Sequence, residues 1–142
     1  MNLSLTKTGD YVVRAALSLA LMHPRAGYLK IRDVAAQMDL PLHYTPQILG
    51  MLAKAGIAES RAGRDGGCRL KCDPADISLL QVVEAGEGEL HVGRWTTSGA
   101  SCNSEEMCVL HTTLEDAIQA FRESLEAASL ADVAIGRASA GS

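Results

Sequence analysis

Cys102, Cys108 and His111 stand in the order Cys-x5-Cys-x2-His, the pattern in this chain most able to do chemistry. Thiolates and imidazoles suit iron–sulfur clusters, and mixed Cys/His ligation of a two-iron cluster is chemically sound. His91 lies in the same stretch and is a fallback ligand. The two cysteines also read as a bare thiol pair. Five intervening residues let a loop fold back and close a disulfide, which would make a redox switch without metal. Cys68 and Cys72 have no second ligand near them in sequence and read as structural. No nucleophile–base set, phosphate-binding glycine motif or HExxH pattern accompanies these residues, so the chemistry is that of a sensor and not of an enzyme.

The elements that must position these residues fall into two parts. Leu5 to Met22 reads as a first helix, its apolar face formed by Tyr11, Val12, Ala15, Ala16, Leu19 and Ala20. His23-Pro24-Arg25-Ala26-Gly27 ends it by turn chemistry. Ile31, Val34, Ala35 and Met38 mark a short second helix. Pro41 breaks the chain, and Tyr44, Ile48, Met51, Leu52 and Ala55 mark a third helix that Gly56 closes. Two short helices joined by a tight turn predict a helix-turn-helix. Pro46 belongs only in a first helical turn, so the third helix starts either near Leu42 or with Thr45 as its cap.

Ile57–Arg61, the glycine-rich stretch 62–67 and Cys68–Lys71 then read as strand, turn and strand, a basic hairpin placed like a wing. Ser78 and Gln81 form a capping box opening a helix over Leu79–Ala85, which Gly86-Glu87-Gly88-Glu89 ends. Residues 90–109 carry no clear period. Thr112 and Glu115 form a second capping box. Beyond them Leu114, Ile118, Phe121, Leu125 and Ala128 recur at steps of four and three, the spacing of a coiled-coil seam. Its partner is the same helix of a second subunit or, for part of its length, the chain's own first helix. The Gly/Ala/Ser-rich tail from Gly136 reads as disordered.

Charge divides the same way. Residues 1–71 hold ten Lys/Arg against five Asp/Glu, and residues 72–142 hold three against twelve, within a net charge of -4. A basic half in an acidic chain is the footprint of a domain that meets phosphate. No apolar run reaches the roughly 18 residues that cross a bilayer. The chain therefore reads as cytoplasmic, where four cysteines mean metal or redox chemistry before structural disulfides.

These stretches resemble a family of bacterial winged-helix regulators that includes the iron–sulfur regulator IscR and the nitric-oxide sensor NsrR. The carrying residues are Leu5-Thr6-Lys7, Asp10-Tyr11, Tyr44-x3-Ile48-Leu49-x2-Leu52-x3-Gly56-Ile57 and Ser60-Arg61-x-Gly63-x2-Gly66-Gly67. Residues 77–85, the Cys102–Cys108–His111 set and Ser129-Leu130-Ala131-Asp132 complete it, so it reaches to about residue 133. The resemblance implies a mainly α fold with a small β-hairpin wing and a long C-terminal dimerisation helix. It also implies a homodimer bound to a two-fold operator in duplex DNA, a repressor whose affinity an iron–sulfur cluster controls.

By the same resemblance Cys102, Cys108 and His111 are cluster ligands, joined by Asp10 from the first helix of the other subunit. Thr96 stands where the family's first cysteine is expected, which leaves two thiolates and favours a two-iron over a four-iron cluster. For DNA, the polar candidates at the start of the third helix are His43, Thr45 and Gln47. Lys30, Arg32, Lys54, Arg61, Arg64 and Arg69 would hold phosphates. The expected organisation is a DNA-binding domain over residues 1–88, a sensing loop over 89–111, a dimerisation helix over 112–135 and a tail over 136–142.

Overall fold

The computed structural model describes residues 4–23, 27–64, 66–90 and 105–140, the last four by backbone alone. Helix α1 (Lys7–Met22) begins where the Thr6 hydroxyl accepts the Gly9 N–H, a side-chain cap. Its inner face of Val12, Ala15, Ala16 and Leu19 is buried, as the periodicity requires. Helix α2 (Ile31–Met38) adds Val34, Ala35 and Met38 to that core. Helix α3 (Thr45–Lys54) adds Ile48, Leu49 and Leu52. Tyr44 is its cap residue, so Pro46 takes the second helical position, where its missing N–H has no intrahelical acceptor to leave empty. The start thus falls between the two expected from sequence.

The wing follows. Strand β1 (Ala58–Arg61) pairs antiparallel with β2 (Gly67–Leu70), setting Glu59 opposite Arg69 and Ser60 opposite Cys68. A third segment joins them: Leu29 and Cys68 exchange both backbone hydrogen bonds at 2.8 Å. This close approach demands glycine. A Cβ on Gly67, whose φ is 150°, would lie 2.3 Å from the Leu29 carbonyl oxygen, and one on Gly66 would lie 2.0 Å from that of Arg61.

Helix α4 (Leu79–Glu87) opens on the Ser78/Gln81 capping box that the sequence predicts. It does not stop at Gly86. That residue packs on α1 so closely that a Cβ would come within 2.9 Å of the Gly9 Cα. The next residue, Glu87, accepts both the N–H and the hydroxyl of Thr6, at 2.6 and 2.8 Å.

Helices α5 (Glu105–Ala127) and α6 (Leu130–Ala140) replace the single helix expected over 112–135. Glu105–His111, expected in the sensing loop, is helical, so Thr112 lies two turns inside α5 and opens nothing. The break comes at Ala128–Ser129. Ser129 and Asp132 cap each other's backbone N–H groups at 2.9 and 3.1 Å. Leu79 N–H donates to the Ala128 carbonyl, Leu130 N–H donates to that of Ile77, and Leu130 is fully buried in the core. The backbone is helical through Ala140, which corrects the expectation of a disordered tail from Gly136; residues 141–142 lie outside the described residues. Among the described residues no helix is long and apolar enough to cross a membrane. The molecule is a winged helix-turn-helix followed by a long, largely unburied helix.

Candidate functional site

Helix α3 and the turn before it present an outward strip of Leu42, His43, Pro46, Gln47 and Gly50, all exposed. Thr45 is not part of it. Its side chain is fully buried and its hydroxyl donates to the Pro41 carbonyl at 2.8 Å, so it locks the turn and cannot reach a base edge. The reason is the register: Thr45 falls one turn before Leu49 on the inner face.

The cations flank this strip. Arg32 lies in the first turn of α2 and Lys54 in the last turn of α3, both exposed. Arg61 and Arg64 are exposed on the wing, and the Lys30 ammonium donates to the Arg64 carbonyl at 3.2 Å, tying the wing turn to the start of α2. Arg69 differs from the others. Its Nε donates to Glu59 at 2.7 Å and its guanidinium lies 4.6 Å from the Tyr28 ring centre. The hydrogen bond to Glu59 raises the Arg69 pKa further, so its charge is already matched within the hairpin. Arg61 also faces Tyr28, at 5.9 Å.

The described ligand candidates each have a neighbour. Cys108 is half-buried near the start of α5 and is disulfide-bonded. His111 follows one turn later, with Nε2 3.0 Å from the Glu115 carboxylate. Asp10 pairs with Arg14 at 3.1 Å, and Arg14 also donates to the Met38 carbonyl at the end of α2, at 3.4 Å. Asp10 is therefore not the cap of α1, a role Thr6 fills. Among the described residues no three His, Cys, Asp or Glu side chains of one chain gather as a metal site. Cys102, His91 and Thr96 lie outside the described residues. Cys68 is buried, and burial pushes its thiol up to about 11, which makes it inert at neutral pH. Cys72 is an exposed free thiol.

With this geometry in view, the likeness to known proteins is decisive. The Rrf2 family, described as "Iron-dependent Transcriptional regulator", matches residues 5–135. The chain belongs to the Rrf2 family. The regulator NsrR of Geobacillus kaustophilus is 33% identical over 138 residues, spanning 96% of this chain and 93% of that one. IscR of Aliivibrio salmonicida is 28% identical over 133 residues, spanning 94% and 78%. Among solved structures, T. potens IscR superposes with a TM-score of 0.72 at 27% identity, covering 94% of this chain and 87% of that one. CymR of B. subtilis, titled a global cysteine regulator, superposes at 0.75 with 24% identity over 94% and 97%, a likeness of fold. These relatives are named as transcription regulators of the helix-turn-helix type, and this Rrf2 protein is a transcription regulator and not an enzyme.

Sequence reasoning missed three features of this Rrf2 chain. Pro46 and Leu42 contribute apolar surface to the outward strip of α3, which polar candidates alone do not suggest. Tyr28, between the wing arginines, had no period to single it out. The third is an ion pair between α4 and α5: Arg122 Nη1 lies 2.6 Å from Glu84 Oε2, both side chains mostly buried. Residues 38 apart, each in its own helical pattern, give no local signal of such a pair.

Proposed function

We propose that this protein binds a two-fold operator in duplex DNA as a homodimer, represses from it, and changes affinity with the state of the Cys102/Cys108 centre. The observation that carries the reading is the pairing of an exposed strip on α3 and a basic wing with Cys108 and His111 in the first turns of α5, to which the sequence adds Cys102. His43 and Gln47 would read base edges, with Pro46 offering apolar contact to a thymine methyl. Arg61, Arg64, Lys30, Arg32 and Lys54 would hold phosphates and fix register. The exposed Met107, Leu110 and Phe121 on α5 support a partner helix from a second copy.

The donor set fits a two-iron cluster. Cys108 and His111 are three residues apart on one helix, so both side chains rise from one face. With Cys102 and Asp10 of the partner subunit they make four donors, two thiolates among them, which is the number that two irons need and is poor in sulfur for four. Bound there, the cluster would supply a one-electron redox centre. Asp10 is half-exposed and its pairing with Arg14 is of the weak surface kind, which leaves the carboxylate free to exchange. The same holds for His111 and Glu115.

A second reading rests on the disulfide at Cys108. In it the thiol pair itself is the switch: two Sγ–H groups lose two protons and two electrons to a peroxide, an Sγ–Sγ bond forms, and the peroxide leaves as two waters. A disulfide cannot ligate iron, so the two readings are exclusive for one state of the protein. Anaerobic reconstitution with iron and sulfide separates them. Visible absorption in the wild type, lost in Cys102→Ser or Cys108→Ser and weakened in Asp10→Ala, supports the cluster. A colourless wild type whose DNA affinity still changes with peroxide overturns it in favour of the thiol pair.

A further inference from the structure

The cysteine segment leaves α4 through Leu90, and Leu90 is held at both backbone groups. Its N–H donates to Glu84 Oε2 at 3.0 Å, and its carbonyl accepts from Arg122 Nη1 at 3.2 Å. The same Nη1 donates to Glu84 Oε2 at 2.6 Å. The side chains are 27% and 22% exposed, and each charge is satisfied by the other and by one backbone group of Leu90. This three-cornered clamp joins α4, α5 and the first residue before the segment that holds Cys102.

One turn along α4 from Glu84, Glu87 holds Thr6, the cap of α1, while Gly86 rests on Gly9 with no space for sliding. The next turns of α1 touch the cap of α3. Thr8 Oγ1 lies 3.4 Å from the Tyr44 hydroxyl, and the Tyr11 and Tyr44 rings meet edge to face at 6.1 Å. The clamp, α4, the first turns of α1 and the start of the DNA-reading helix therefore form one chain of close contacts. Packed contacts of this kind move as a unit or not at all.

We propose that Glu84 and Arg122 are positioning residues that couple the start of the cysteine segment to the DNA-reading helix through α4 and the first turns of α1. This rests on the reading of the cysteine pair as a sensor. Neither residue touches DNA or the sensor; together they decide whether a change in the segment is felt by α3. Glu84→Gln keeps an acceptor for the Leu90 N–H but cancels the charge that holds Arg122. Arg122→Lys keeps the charge but ends one bond short of the Nη1 that makes both contacts.

The test uses the full dimeric protein and an inverted-repeat duplex selected from a random library. Affinity is measured with the protein reduced by a thiol and after peroxide. Coupled sites commonly differ by 5- to 150-fold between states. The wild-type ratio is expected in that range, with Glu84→Gln reducing it to about twofold or less while the affinity of the tighter state and the sensor's own response stay near wild type. That response is read by thiol titration or by visible absorption. Arg122→Lys should give an intermediate ratio, and should do so even if Glu84→Gln folds poorly. If the wild type responds and both variants respond equally, the coupling is overturned and the sensor reading stands. If the wild type does not respond, the sensor reading has failed and the coupling with it.

Discussion

Helices α3 and α5 are both amphipathic, yet α3 buries Ile48, Leu49 and Leu52 inside the chain while α5 buries none of its described residues. The inner face of α3 packs in the core with side chains of residues 12–82 and Leu130. Along α5 the inward side chains are only half covered, and Met107, Leu110 and Phe121 stand about half exposed. The DNA-binding half closes its core with Leu130 of α6. The apolar face of α5 calls for a surface that the described residues do not provide.

Breaking that face should have the largest effect. Phe121→Glu puts a charge into the proposed seam, and light scattering should show monomers. A two-fold operator engages two linked reading heads, so losing the link should weaken specific binding by about 10²–10⁴-fold. A variant that stays dimeric and binds normally would mean that α5 is covered by something other than its own copy.

The contrast sharpens with one truncation in each region. Leu52→Ala empties a fully buried site and should cost about 2–5 kcal/mol, read as a lower urea midpoint. Leu110→Ala removes the same atoms from a half-exposed position. Its cost should appear as a concentration-dependent loss of dimer, with little change in the stability of the DNA-binding half. Equal losses of stability in both variants would erase the distinction drawn between α3 and α5.

Much of the fold was legible in the sequence because it is locally encoded. The apolar spacing of α1, α2 and α3, the Ser78/Gln81 box and the glycine-rich wing each act within a few residues. The misreading at Gly86 has a plain cause, a local stop signal overridden by a distant contact. Gly86 has the type of a stop and is the surface on which α1 rests. Thr112 and Glu115 match a capping box, but α5 extends two turns further toward its N-terminus. Ser129 and Asp132 open α6, and Leu130 returns to the core there. At the candidate DNA surface, the residue types were legible and their directions were not. Thr45 turns inward because its hydroxyl serves Pro41, and Arg69 turns to Glu59 across the hairpin.

A smaller effect should come from the buried thiol of the wing. Cys68 is raised from 9.0 to about 11 by burial, so the folded state keeps its proton to higher pH than the unfolded chain does. The stabilisation is whole below pH 9 and is lost as pH rises toward 11, at about 1.4 kcal/mol per pH unit. Urea midpoints measured at pH 8 and pH 10 should fall more in the wild type than in Cys68→Ala. The exposed Cys72 should react with iodoacetamide at pH 8 while Cys68 stays protected. Matching rates would show that the wing opens far more readily than the packing of Leu29 on Cys68 implies.

The smallest expected difference lies within the wing itself. Arg64 is exposed at the turn, with its carbonyl anchored by Lys30 and its side chain open to an approaching phosphate. Arg69 is held by Glu59 at 2.7 Å and stacked on Tyr28. A phosphate must compete with that carboxylate for Arg69, whereas Arg64 pairs with no carboxylate among the described residues. Every phosphate that a protein neutralises on duplex DNA adds about 0.9 to the steepness of log affinity against log salt. Arg64→Ala should therefore shallow the slope by roughly one unit and weaken binding on all sequences alike. Arg69→Ala should change the slope by well under one unit, because its main effect is to free Glu59. Glu59→Gln supplies the reciprocal check: it releases Arg69 toward the DNA backbone and should steepen the slope. Equal slopes for Arg64→Ala and Arg69→Ala would mean that the Glu59 pairing gives way on DNA and that both arginines reach phosphate.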